Sequence, residues 1–297
     1  MSEKREDNLV SDALALMNDD SVVHIKDATE RNGEYTDPFS IGFNEFDEAM
    51  KGGVRYGDLI GVAGKPKAGK TSVIQEISLR MAKNGNKCLW FSYELSIDNF
   101  YAKFKELGKN IDKLHIYCPK KMSSGNLHWI QEKIIESEEK YGCKFVFIDH
   151  LDFIAPKKKQ NFEAMRLIKD EICLELKRMA VDLEIVIFLI THVRKVSGRN
   201  IELNDIAESG AVGKLSDFVF AVERESHEEY VGGKKTELFG QSSTIRMMAN
   251  RLTGDCPIVT FTINNGRICE AGKIITAESE DELEVVDYKK PLFGMID

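Results

Sequence analysis

The sequence predicts an α/β domain with a mostly parallel central sheet flanked by helices. Three observations carry the prediction. From about residue 39 onward, short apolar runs alternate with helical stripes, the pattern of consecutive strand–helix–strand units. Two of the runs, KFVFID (144–149) and EIVIFLIT (184–191), are apolar almost throughout, as strands covered on both faces are. A glycine-rich stretch, GKPKAGKT (64–71), joins a strand to a helix, the setting in which such loops hold phosphate.

The elements follow in chain order. DLIGVAG (58–64) reads as the first strand, and Val73, Ile74, Ile77 and Met81 mark one face of the helix after the glycine-rich loop. KCLWFS (87–92) and LHIYC (114–118) are the next strands. Phe162, Met165, Ile172, Leu176 and Met179 form a helical stripe between the two continuous apolar runs. DFVFAVE (217–223), STIRMMA (243–249) and PIVTFTI (257–263) make a strand-rich end. Ahead of all this, Leu9, Val10, Ala13, Leu14 and Met17 share one stripe of a short helix over 8–18, and Asn32-Gly33 and Asp37-Pro38 are turn signals. That stripe docks either on its own domain or on a neighbour's. The expected organisation is an N-terminal arm over 1–38, a domain over 39–271 and an acidic tail without fixed structure over 272–297.

Composition excludes several classes. The 297 residues are 42% hydrophobic, enough for a globular core, yet no apolar run approaches the length of a membrane span. MSEKREDN is too charged for a signal peptide, so the expectation is a soluble, cytoplasmic chain without membrane contact. The cysteines (Cys88, Cys118, Cys143, Cys173, Cys256, Cys269) form no CxxC pair, which argues against a zinc ribbon or a disulfide framework. Net charge is −8, but six of the acids lie within residues 278–287, so the body is near neutral and the overall acidity decides little about nucleic-acid partners.

Gly64, Lys65, Pro66, Lys67, Ala68, Gly69, Lys70 and Thr71 fit GxxxxGK[ST]. Glycines let the backbone curl until successive N–H groups point at one anion, and the following helix adds its positive end. Lys70 would reach the β- and γ-phosphates, and the Thr71 hydroxyl would ligate Mg²⁺. A metal-side acid should end a neighbouring strand, and Asp149 does so in KFVFIDH. The next residue is His150 rather than a second acid, so a base that aligns water must come from elsewhere. Glu94, just past KCLWFS, is the candidate, because parallel strand ends converge at one edge of the sheet.

SIGFNEFDEAMKGGVRYGDLIGVAGKPKAGKT, WFSYELS, FVFIDHLDFI and DIAESGAVGKLSD together resemble the ATPase domain of DnaB-type replicative helicases. THVRK and ANRLTGD are similar to the helicase half of phage primase–helicases and to Twinkle. The resemblance covers about residues 39–270. It implies a RecA-like P-loop core, ATP and Mg²⁺ as cofactors, and a homo-oligomeric ring, usually a hexamer, around single-stranded DNA with each nucleotide between two subunits. It implies that Glu94 orients water, that His192 at the end of EIVIFLIT senses the γ-phosphate, and that Arg251 enters the neighbouring subunit's site. Two positions depart from the family: Ala249, two residues before Arg251, and Ala207, before Glu208-Ser209-Gly210, each stand where a basic residue is common. Both changes remove positive charge.

The stretch from His192 to Lys214 matches the channel loops of such rings. Arg194, Lys195, Arg199, Gly210 and Lys214 are the DNA-binding candidates, with Gly210, Ala211 and Gly213 small enough for close backbone approach. The implied activity is 5′–3′ translocation and unwinding in a bacterial or phage-infected cytoplasm. A RecA-like, DNA-stimulated ATPase without unwinding (a recombinase, a loader or an assembly switch) is the alternative. No primase or large N-terminal collar is expected within the chain. The helix at 8–18 corresponds to the family's linker helix, and the arm or the tail, which ends KKPLFGMID, could meet a primase, polymerase or loader.

Overall fold

In the computed structural model, residues 37–107, 111–123, 126–155, 162–194, 199–206, 210–231, 234–264 and 267–270 are described. The expected helix at 8–18, the acidic tail, Lys195, Ala207, Glu208 and Ser209 lie outside them. The strands are β1 Leu59–Gly64, β2 Cys88–Ser92, β3 Ile116–Tyr117, β4 Phe145–Asp149, β5 Val186–His192, β6 Phe218–Val231, β7 Lys234–Asn250, β8 Ile258–Asn264 and β9 Arg267–Glu270. They form one sheet in the order β3-β2-β4-β5-β1-β6-β7-β8-β9. Pairing from β3 through β6 is parallel, and β6 through β9 pair antiparallel.

The parallel half is buried on both faces because helices cover both. Alternate residues of each strand point to opposite sides. Ile60, Val62, Trp90, Phe147 and Phe188 enter one cluster, and Leu59, Ala63, Leu89, Val146 and Ile187 the other. Helix α1 (Asn44–Ala49), α2 (Lys70–Lys83) and α3 (Ile97–Leu107) supply Phe46, Ile74 and Phe104 to the first cluster. Helix α4 (Leu127–Tyr141) and α5 (Phe162–Asp182) supply Ile134 and Leu176 to the second. Trp90 is fully buried, stacks on Phe147 at 5.0 Å and meets Phe100 and Phe104. Trp90→Ala is expected to cost about 3–5 kcal/mol of unfolding free energy, read as a lower denaturant midpoint.

The mostly parallel sheet with flanking helices is as predicted, and three local differences stand out. Helices α3 and α4 are additions to the sequence reading; each carries only a pair of core residues one turn apart, Phe100/Phe104 and Ile130/Ile134. Strands β6 and β7 continue as a long antiparallel pair, Glu228 opposite Glu237 and Tyr230 opposite Lys235, through polar sequence that no apolar pattern reveals. The described residues of the stretch from 192 to 214, matched above to channel loops, also include regular structure. The stretch carries a short turn at Leu203–Asp205, and Gly210–Leu215 forms helix α6. Ala211 and Val212 are buried, and Val212 lies so near Gly61 that a methyl group there would meet its Cγ1 at 2.7 Å. Ala211, read above as small enough for close backbone approach to DNA, is thus buried in a helix.

Candidate functional site

The phosphate loop crosses from the carboxyl end of β1 to α2. Gly69 has φ +97° and a Cβ on Gly64 would come within 2.6 Å of the Val222 carbonyl, so both positions exclude side chains. The Lys70 ammonium donates to the carbonyls of Gly64 (3.0 Å) and Lys65 (2.9 Å) and lies 3.2 Å from His192 Nδ1. Pro66 and Lys67 are the exposed part of the loop, where Lys67 also takes a left-handed φ of +64°, and Ala68 is buried.

Parallel register brings the other residues to this edge. Gly64 pairs with His192, and Ser92 with Asp149. Asp149 is 1% exposed and its Oδ2 accepts the Thr71 hydroxyl at 2.8 Å. Burial, partly opposed by that hydrogen bond, pushes the Asp149 carboxyl above the usual range. A buried carboxylate beside a hydroxyl is an oxygen pair suited to a hard divalent cation, so Thr71 and Asp149 fit Mg²⁺. Glu94 is 42% exposed, in the turn between β2 and α3.

His150 is the residue that sequence reasoning passes over. Its Nε2 lies 3.1 Å from Glu94 Oε1 and 3.2 Å from His192 Nε2, and its Nδ1 lies 3.4 Å from Asp152 Oδ2. Asp152 in turn pairs with the buried Lys169 of α5 at 2.6 Å. The signal in the sequence is its place directly after a strand-end aspartate; a search for a second acid there hides it. Burial, together with the neighbouring Lys70 and His150, holds the His192 imidazole below its ordinary range.

Burial also pulls the Lys70 ammonium down to about 8, against the opposing pull of Asp149 and Glu94. In the free protein its charged form is therefore disfavoured, a penalty felt below pH 8 and lost as pH rises from there toward the unfolded value. Phosphate oxygens beside Lys70 would reverse this and restore the proton. Nucleotide binding at about pH 8 is thus expected to take up about half a proton, and affinity to fall above it with a slope that approaches tenfold per pH unit. Calorimetry in two buffers of different ionisation enthalpy reads both effects.

A pocket of about 420 Å³ lies beside the loop, lined by Lys65, Ala68, Arg199, Ile201, Glu223 and Ser243 among others. The Ser243 hydroxyl is buried there without a hydrogen-bond partner among the described residues.

The remaining predicted residues lie elsewhere. Arg199 forms a two-pronged pair with Asp205 (2.6 and 2.7 Å), so its charge is already matched. Arg194 and Lys214 are exposed, and Gly210 begins α6. Arg251 follows β7 at the opposite edge of the sheet. Asn250 pairs with Phe218 and Phe218 with Ile60, four residues upstream of Gly64. At about 3.3 Å per residue, Arg251 lies roughly 15 Å or more along the strands from its own phosphate loop. Its side chain is exposed and makes no ion pair among the described residues; Leu252, next in the chain, is an exposed apolar group, and so is Ile258, which pairs with Arg246 on β8.

The sheet order, the phosphate loop at the carboxyl edge and the paired Thr71 and Asp149 define a RecA-like P-loop nucleotide-binding protein. The DnaB-like helicase C terminal domain matches residues 39–120 and 98–264, and the chain belongs to that family. Among solved structures, a DnaB-like replicative helicase described with its interactions with primase is 18% identical, with a TM-score of 0.66 over 84% of this chain and 68% of that one. A second structure, of an ATPase domain, is 17% identical, with a TM-score of 0.66 over 87% of this chain and 97% of that one. DNA repair protein RadA of Aquifex aeolicus is 27% identical over 52% of this chain and 33% of its own length. DNA repair protein RadA of Streptococcus pneumoniae is 23% identical over 86% of this chain and 57% of its own length. The match thus spans between about a third and somewhat over half of these RadA proteins. No helix among the described residues is long and apolar enough to cross a membrane.

Proposed function

We propose that the chain hydrolyses ATP at interfaces between copies of itself in a ring, a hexamer by family analogy, and uses the cycle to move along single-stranded DNA and open a duplex. The observation that carries this reading is the position of Arg251: exposed, next to exposed Leu252, and at the sheet edge away from its own phosphate loop. An arginine there can serve a nucleotide only in another copy's site. In that site Lys70 and the loop from Gly64 to Thr71 hold the phosphates, and Thr71 and Asp149 hold Mg²⁺, which neutralises phosphate charge when bound. Glu94, steadied by His150, orients the attacking water. His192 contacts the γ-phosphate, and Arg251 of the adjoining copy stabilises charge on it. The pocket beside Lys65 receives the nucleoside, where the Ser243 hydroxyl finds a partner.

Residues 39–271 form the motor domain in this reading, with the 1–38 arm and the 272–297 tail as attachments for a neighbouring copy, a primase, a polymerase or a loader. Exposed Arg194 and Lys214, with Lys195, contact DNA phosphates, while Arg199 is held by Asp205 and contributes less. Polarity is 5′–3′ by family analogy, and the compartment is bacterial or phage-infected host cytoplasm. A second reading, a DNA-stimulated ATPase that does not unwind, draws on the similarity to RadA proteins and on Ala249. The two separate on a forked duplex with ATP and Mg²⁺. Strand separation with ATPase stimulated by single-stranded DNA supports the motor; stimulation without separation supports the second reading; absence of both, with nucleotide still bound, rejects both.

A further inference from the structure

The turn that carries Arg251 is held by one buried amide. Asn250 is 7% exposed. Its Oδ1 accepts the backbone N–H groups of Leu252 (3.0 Å) and Thr253 (3.2 Å). The two protons of its Nδ2 are shared among the carbonyls of Ala49 (3.0 Å) and Asp255 (2.9 Å) and the Thr253 hydroxyl (2.7 Å). That hydroxyl spends its own proton on the Ala49 carbonyl at 2.9 Å. The Arg251 N–H donates to the Asp217 carbonyl at 3.0 Å, which ties the start of the turn to the beginning of β6. Arg251 is thus bracketed on both sides, while its own side chain is left exposed.

We propose that Asn250 is a positioning residue for Arg251, setting the direction in which the guanidinium leaves the sheet toward the adjoining copy. The inference rests on the reading of Arg251 as acting in trans. Stabilisation of a transferring phosphoryl group depends on donors held to within a fraction of an ångström, and a misplacement of about 1 Å costs on the order of 10²-fold. The clamp needs an amide. Aspartate keeps the acceptor for the two N–H groups but turns a second oxygen on the carbonyls of Ala49 and Asp255. Alanine removes both sets of bonds, and the turn then has only the Thr253 hydroxyl to hold it against α1.

The test uses the full chain. Asn250→Ala and Asn250→Asp are compared with wild type for nucleotide binding, cooperative unfolding and ATPase with single-stranded DNA. Turnover is expected to fall about 10²-fold with nucleotide affinity unchanged. Thr253→Val, which removes one of the two ties to Ala49, should fall less and serves if the other variants do not fold. Mixing is the decisive arm. An Asn250→Ala subunit keeps a sound phosphate loop, and a Lys70→Ala subunit keeps a sound Arg251 turn, so mixed assemblies should regain activity. Turnover within about twofold of wild type in all three variants would overturn the inference, being far short of the loss that misplacement brings. So would loss without recovery in the mixture while Arg251→Ala does recover there, because the defect would then be structural. Failure of Arg251→Ala itself to recover, with co-assembly confirmed, removes the trans reading and the inference together.

Discussion

Arg251→Ala is expected to lower ATP turnover by about 10³–10⁵ while nucleotide binding survives. The loss corresponds to roughly 4–7 kcal/mol of transition-state stabilisation. It should appear in kcat, because Arg251 is remote from the glycine-rich loop of its own copy. Arg251→Lys should rescue little, since an ammonium offers a point charge where a guanidinium presents a planar fork of donors. Mixed with Lys70→Ala, the variant should regain part of its turnover, because one interface in the mixture joins a sound phosphate loop to a sound arginine. An unassembled copy of Arg251→Ala with wild-type turnover would show that hydrolysis needs nothing from a neighbour.

Glu94→Gln carries the second large effect. The substitution keeps size and hydrogen bonding but removes the basic oxygen that lies 3.1 Å from His150. General-base catalysis is worth about 10²–10⁴, and kcat is expected to fall by that factor. Nucleotide affinity should hold, because the side chains that Glu94 approaches are those of His150 (3.1 Å) and His192 (4.0 Å), and it makes no hydrogen bond to the phosphate loop among the described residues. Complementation gives this prediction its own check. Glu94→Gln mixed with Arg251→Ala should recover, since the first supplies the arginine and the second the base. Glu94→Gln mixed with Lys70→Ala should stay inactive, because both lesions fall in the same copy's site. Single-turnover hydrolysis measured on the two mixtures decides it, and equal activity in both would move Glu94 out of the site.

Much of this is legible in the linear chain. GKPKAGKT identifies itself because its chemistry is local: positive φ at Lys67 and Gly69 and a helix beginning at Lys70 depend on neighbours in sequence. The buried strands are equally visible, because burial on both faces demands an unbroken apolar run, as in FVFID and VIFLITH. Glu94 is a candidate from its place just past a parallel strand, and the family resemblance adds His192 and Arg251, but no pattern in the chain shows what each side chain meets.

That part belongs to the tertiary structure. Parallel register of β1 with β5 and of β2 with β4 gathers Lys70, Asp149, His192 and Glu94 at one edge, and gives His150 two partners that lie 56 and 42 residues away in the chain. Antiparallel register of β7 on β6 sends Arg251 to the other edge. Arg199 looks free in the sequence, yet Asp205 holds it; Ala211 looks like loop, yet is buried in α6. Steric limits and hydrophobic period act between near neighbours and are written in the sequence itself. Which charges meet, and which are left without a partner, follows from pairing between segments far apart in the chain, and only the folded sheet decides it.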